Sequence, residues 1–168
     1  MPTATDAELV DLLTAGTLTP VGRLVNSSNG ALLCSVQGPD CDAEPLLAIH
    51  KPESSERPLW DYPDGTLVAR ERAAYLVSTA GGFGVVPPTV LREGPFGEGM
   101  VQSFVEADPG VDAVAMVLED DPRLRRMAVL DAVMNNTDRK GGHILPVDGG
   151  RHVHGVDHGV CFSPVPKL

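Results

Sequence analysis

The sequence predicts an α+β fold, an antiparallel sheet carrying one helix, and three observations lead there. Strand-like runs separated by turn residues recur as Leu18 to Val25, Ala31 to Val36 and Leu46 to Lys51. A helical pattern over Thr66 to Ala80 interrupts them. Two more strand-like runs, Val86 to Arg92 and Met100 to Glu106, then follow. The order is helix, hairpin, strand, helix, hairpin, and it puts the second helix between the third and fourth strands.

Each element has a local reason. Thr5-Asp6-Ala7-Glu8 has the form of a capping box, and Leu9, Val10, Leu12 and Leu13 supply an apolar face that ends at Gly16. In the first hairpin Asn26-Ser27-Ser28-Asn29-Gly30 is the loop, closed by the strong turn pair Asn-Gly. Gly38 to Pro45 reads as a polar loop, and Pro52 stops the third strand, leaving Lys51 at its end. After the Pro-rich stretch Glu53 to Gly65, the helix from Thr66 runs to Gly81-Gly82 and carries Glu71 in its early turns. Glu93 to Gly99 joins the next two strands. Asp121-Pro122, an N-cap followed by proline at the first helical position, starts a helix that runs to about Met134. Finally His143 to Val147 and Arg151 to Val156 flank the turn Asp148-Gly149-Gly150 and present Asp157 at the end of the hairpin.

Composition bounds the function. With 168 residues, 42% of them hydrophobic, one compact core is expected, and there is no internal repeat or low-complexity tract. A net charge of −10 argues against nucleic acid or an anionic membrane surface as partner, since both recruit clustered Lys and Arg. No apolar run is long enough to span a bilayer, and Met1 to Glu8 lacks the zones of a signal peptide, so a cytoplasmic location is expected. Cys34, Cys41 and Cys161 show neither a paired framework nor metal-ligand spacing, and they read as free thiols.

The chemistry lies in Asn136-Thr137-Asp138-Arg139-Lys140 and in Gly155-Val156-Asp157-His158-Gly159. One carboxylate stands in a polar loop after a helix and the other at a strand end. Phosphoryl transfer uses such a pair: one acid orients or deprotonates the attacking hydroxyl, and the other holds the magnesium that neutralises the transferred phosphate. On Asp138-Arg139 and Asp157-His158-Gly159 the chain resembles the phosphatidylinositol 3- and 4-kinase-like branch of the kinase superfamily, as found in actinobacterial proteins. The resemblance covers roughly Leu18 to Phe162.

The resemblance implies a single two-lobed kinase-like domain over 1–168, with a strand-rich lobe of residues 17–106 and a reduced second lobe of residues 107–168. It implies ATP and Mg2+ as cofactors, with Mn2+ as the alternative ion, and transfer to a hydroxyl of a protein or small molecule. Lys51 would reach the α- and β-phosphates, and Glu71 would hold its ammonium. Ser27 and Ser28 would donate to phosphate from the first hairpin loop. Gln102, Phe104 and Val105, within a hinge Val101 to Glu106, would read adenine. Asp138 would position the acceptor, and Asp157 with Asn136 would hold metal, Asn135 being the alternative to Asn136.

The chain departs from the family in three places. Where the superfamily has an asparagine as second metal ligand stands His143, and imidazole suits hard magnesium poorly. One magnesium on Asp157, with His143 unliganded, is the expectation that follows. The phosphate loop holds a single glycine, and little chain follows Asp157, which reads as a truncated or minimal member. These departures keep open a pseudokinase that binds nucleotide or a partner without turnover. A rival chemistry is zinc hydrolysis through His152, His154, Asp157 and His158, which resemble the metallo-β-lactamase motif with one residue too many.

Overall fold

A computed structural model describes residues 4–24, 30–39 and 43–166. Ser27, Ser28 and Cys41 lie outside the described residues. The chain is α+β, with the order α1 (Asp6–Ala15), β1 (Thr17–Arg23), β2 (Leu32–Gln37), β3 (Leu46–Pro52), α2 (Leu67–Ala80), β4 (Thr89–Gly94), β5 (Gly97–Ser103), α3 (Ala113–Leu118), α4 (Pro122–Val133), β6 (Ile144–Val147) and β7 (His152–Gly155). β1 to β5 form one antiparallel sheet in the spatial order β1-β2-β3-β5-β4, and β6 pairs with β7 in a separate hairpin. The second helix thus enters the chain between the third and fourth strands, as the sequence predicts. Among the described residues no helix is long and apolar enough to cross a membrane.

Local chemistry explains the element ends. The capping box forms: Thr5 Oγ1 accepts from Glu8 N, and Glu8 Oε2 accepts from Thr5 N. The other end of α1 lacks a basic residue in its last turn, and Arg92 on β4 donates instead to Leu13 O and Gly16 O. Pro20 lies within β1, an edge strand, beside a register shift between Pro20 and Gly22, where a missing N–H costs no interior ladder bond. α2 has no side-chain cap from Thr66, whose hydroxyl turns to Pro63 O; Glu56 reaches over from the preceding loop and accepts from Val68 N.

Several boundaries differ from expectation. β4 starts at Thr89 rather than near Val86, because Pro87 and Pro88 lack the N–H a strand ladder needs. β5 starts at Gly97, since Gly94 pairs with Gly97 and the turn between the strands is tighter than Glu93 to Gly99. The helix α3 is absent from the sequence reading. Its N-cap Asp112 accepts from Val114 N and Ala115 N.

Two apolar clusters hold these elements. One packs α1 on the sheet through Leu13, Val36, Ala48, Val90 and Val101. The other joins α2, α3, α4 and β7 through residues that include Ala74, Tyr75, Met116, Leu130, Met134 and Val153. The candidate site residues come from elements of both groups.

Candidate functional site

The buried face of α2 is Leu67, Val68, Glu71, Ala74, Tyr75 and Ser78, a helical stripe with one carboxylate inside it. An ionised acid in that position needs a partner, because burial strips it of water. Lys51, at the end of β3, supplies one: its Nζ lies 2.6 Å from Glu71 Oε1. The same ammonium lies 2.9 Å from Asp157 Oδ1. Three residues far apart in sequence therefore meet at one charge.

The ion pairing sets the proton affinities. Burial pushes the Lys51 ammonium down, but Glu71 and Asp157 outweigh it and hold the group above the ordinary lysine range. Burial raises the Asp157 carboxyl, and Lys51 outweighs that in turn and holds it below the usual carboxylate range. Asp157 is 37% exposed and adopts φ 63°, the left-handed region that a non-glycine residue seldom occupies. The hairpin β6–β7 leads directly into this turn.

Glu71 has a second task. Its Oε2 accepts from His158 N at 2.8 Å, and the His158 ring, fully buried, puts Nε2 2.7 Å from Arg139 Nη2. Arginine only donates, so His158 Nε2 accepts and the ring is neutral. Burial and the neighbouring Arg139 and Lys51 charges hold its pKa well below the ordinary value. Arg139 also grips Asp131 on α4 with Nε at 2.9 Å and Nη2 at 2.7 Å, and donates Nη1 to Val156 O. Asp131 in turn accepts from Asn136 Nδ2, and Asn136 Oδ1 accepts from Asp138 N. An unbroken polar chain thus runs from Lys51 through Glu71, His158, Arg139, Asp131 and Asn136 to the backbone of Asp138.

Asp138 itself is 44% exposed, and Lys140 Nζ lies 2.8 Å from its Oδ2. That hydrogen bond, with the negative charge of Asp138, raises the Lys140 pKa. His143 places Nε2 3.2 Å from Asp157 Oδ2, while burial lowers its pKa. Lys51 and His143 thus address different oxygens of one carboxylate.

The structure brings together Lys51, Glu71 and Asp157, and links Asp138 to them through the polar chain. Asn136 is 3% exposed, its Nδ2 donating to Asp131 on α4 and its Oδ1 accepting from Asp138 N. Gln102 likewise turns inward, donating to Thr89 Oγ1 in a buried contact, and Phe104 N donates to Leu47 O. The Gln102 amide nitrogen and the Phe104 N–H are thus engaged, while Val105 lies just past the end of β5. Asn135, the alternative ligand, donates to Ser163 O and Val165 O.

The four residues of the zinc motif go different ways. His152 and His154 pack ring to ring at 4.4 Å with His154 on Val85 O, whereas Asp157 faces Lys51 and His158 faces Arg139. Among the described residues no group of three or more His, Cys, Asp or Glu side chains is placed to hold a metal ion. The fit to a resident ion is therefore narrow: a divalent cation here has Asp157 and, beside it, His143. Asp131, Lys140 and the bridging part of His158 escaped the sequence reading. A lone acid in an amphipathic helix reads as a solvated residue, but its register with Met127 and Leu130 on the buried side of α4 is a signal.

No family model matches the chain. It is 42% identical to Protein Rv2133c of Mycobacterium tuberculosis over 194 aligned positions, which cover 94% of this chain and 68% of the relative.

Proposed function

This chain belongs to the family of the mycobacterial Protein Rv2133c, and we propose that it is an ATP-dependent phosphotransferase with a kinase-like, two-lobed core that acts on a hydroxyl of a protein or small molecule. The observation that carries the reading is the shared Lys51 ammonium, 2.6 Å from Glu71 and 2.9 Å from Asp157. A lysine locked in its charged form at a strand end, steadied by a helical carboxylate, suits the α- and β-phosphates of ATP. The sheet order and the helix between β3 and β4 support the same reading.

In this reading each residue has a distinct task. Lys51 pairs with phosphate oxygens, and Glu71 fixes its direction. The backbone of Val105, past the last residue of β5, reads the adenine edge. Asp157 is the principal protein ligand of a divalent ion, which when bound neutralises charge on the transferred phosphate. Asp138 accepts the proton of the acceptor hydroxyl, and Lys140, 2.8 Å from it, offers a positive charge where the phosphoryl group passes. The polar chain through Arg139 and Asp131 holds the Asp138 loop in register with Glu71.

The test is binding to the native state. ATP with a divalent ion at about a hundred times its dissociation constant should stabilise the protein by roughly 2.7 kcal/mol, seen as a raised thermal midpoint. An unchanged midpoint with every purine nucleotide and divalent metal, in a folded sample, sinks the proposal together with its non-catalytic variant.

A further inference from the structure

The loop between β3 and α2 is anchored at several points and yet presents the single tryptophan of the chain to solvent. Tyr62 Oη donates to Val160 O at 2.6 Å, and Thr66 Oγ1 donates to Pro63 O at 2.7 Å. Glu56 accepts from Val68 N at 2.8 Å, and Ser55 Oγ donates to Pro52 O at 2.8 Å. Trp60, between these anchors, is 97% exposed. A ring held in water by an anchored loop forgoes the burial that aromatic side chains ordinarily gain, and tryptophan is enriched at the energetic centres of interfaces.

Beside Trp60 the loop encloses a cavity of about 250 Å³. Among the described residues its charged lining is Glu53, Glu56 and Asp64 against Arg57, an excess of negative charge. Pro58, Leu59, Tyr62 and Leu67 supply an apolar wall. Glu56 and Leu67 also line the small cleft of Lys51, Glu71 and Gly159, so the cavity adjoins the Lys51 site and is distinct from it. Like charge disfavours phosphate here, and a cation with an apolar stem fits both the charge and the wall. The space is smaller than the roughly 300 to 1,000 Å³ of small-molecule sites and suits one long side chain. Trp60 lies outside the lining, so a ligand that fills the cavity and also covers the ring extends beyond one side chain. A peptide segment has that reach. Arginine suits the cavity better than lysine, since its planar fork pairs with carboxylates and stacks on aromatic rings. The same loop already holds such a contact: the Arg70 guanidinium lies 4.7 Å from the centroid of the Tyr62 ring.

We infer that the loop between β3 and α2 is a docking site for an extended basic segment of a protein partner, with one arginine in the acidic cavity and an adjoining residue of the segment on Trp60. The site does not depend on the nucleotide reading. Beside a phosphoryl-transfer site it would make a protein, rather than a small molecule, the acceptor.

The test uses the whole chain, without ATP or metal, in about 0.15 M salt, where long-range attraction is screened. The probe is a pool of blocked pentapeptides with arginine at the centre and mixed residues other than tryptophan around it. Trp60 is the only tryptophan in the sequence, so its emission reads this loop alone. Emission should shift to the blue and resist acrylamide quenching as the arginine pool is added, and a pool with glutamine at the centre should leave it unchanged. Glu53→Gln combined with Asp64→Asn, both exposed and apart from the Glu56 bond to α2, should weaken binding of the arginine pool about tenfold, as for loss of two solvent-accessible ion pairs. The two pools on the wild-type chain decide the matter even where the double variant fails to fold. Unchanged emission, an equal response to the glutamine pool, or undiminished binding in a folded double variant overturns the inference. Arginine amide that binds as tightly as the pool overturns the peptide and assigns a small cation in its place. The nucleotide reading is untouched by any of these results and stands or falls on the thermal midpoint with ATP.

Discussion

The ammonium of Lys51 stands 2.6 Å from the carboxylate of Glu71, a side chain 2% exposed in the middle of the buried stripe of α2. The Glu71 charge is not tolerable alone in that position, and Lys51 is the cation that meets it. Breaking one half of such a pair leaves an uncompensated buried charge.

Lys51→Met should therefore cost about 3 to 5 kcal/mol of folding stability, because it leaves the buried Glu71 carboxylate without a cation. Lys51→Met with Glu71→Leu should recover much of that loss. Urea unfolding followed by far-ultraviolet circular dichroism is the appropriate measurement, because the single tryptophan, Trp60, is 97% exposed in the native state and reports unfolding poorly. A single variant as stable as wild type would show the pair to be solvated.

Arg139→Lys should behave as a radical change. Lysine cannot reproduce the two-pronged grip on Asp131 together with the contacts to Val156 O and His158 Nε2. The expected loss is about 2 to 4 kcal/mol. The denaturation midpoint reads it, and a loss under about 0.5 kcal/mol, the scale of surface substitutions, would contradict a buried clamp.

Stability should fall as the solution is acidified from pH 7 to 5. The native state holds His158 neutral, with a pKa well below its ordinary value, while the unfolded chain takes up a proton near pH 6.5. The unfolded state then binds more protons, so stability rises with pH in this window and is lost below it, by at most about 1.4 kcal/mol per pH unit for one histidine. Burial lowers His50, His143 and His154 in the same direction. His158→Gln keeps an acceptor for Arg139 and should flatten the dependence. A variant with the wild-type slope would assign the effect to the other histidines.

Much of this arrangement was legible in the sequence because it is local. The Thr5–Glu8 box, the Asp121-Pro122 start of α4 and the strand-like run of β2 each announce themselves within a few residues. Lys51 and Glu71 were legible through their order along strand and helix. The polar chain was not, since Asp131, Arg139 and His158 acquire their roles only when α4, the Asp138 loop and the Asp157 turn pack together. The partners of Asn136 and Gln102 were hidden for the same reason: an amide in sequence does not reveal which neighbour already holds it. The shifted starts of β4 and β5 trace to prolines and to a tight turn that strand propensity alone overlooks.

The assigned roles separate by what each variant loses. Lys51→Met and Asp157→Asn should weaken nucleotide or metal binding. Asp138→Asn should leave ATP affinity nearly intact and lower turnover by roughly 10²- to 10⁴-fold, the span of general-base catalysis. Calorimetric titration with ATP and the ion distinguishes them. Equal loss of affinity in all three would show that Asp138 belongs to the binding site.

Transfer of a phosphoryl group is read with γ-labelled ATP. The protein is incubated with labelled ATP and Mg2+ or Mn2+, with and without cell extract, and protein, lipid, small-molecule and inorganic phosphate fractions are counted. Label is expected in a protein or small-molecule product with wild type, and its loss with Asp138→Asn. Nucleotide bound without labelled product under any of these conditions would contradict transfer and leave a nucleotide-binding module in its place.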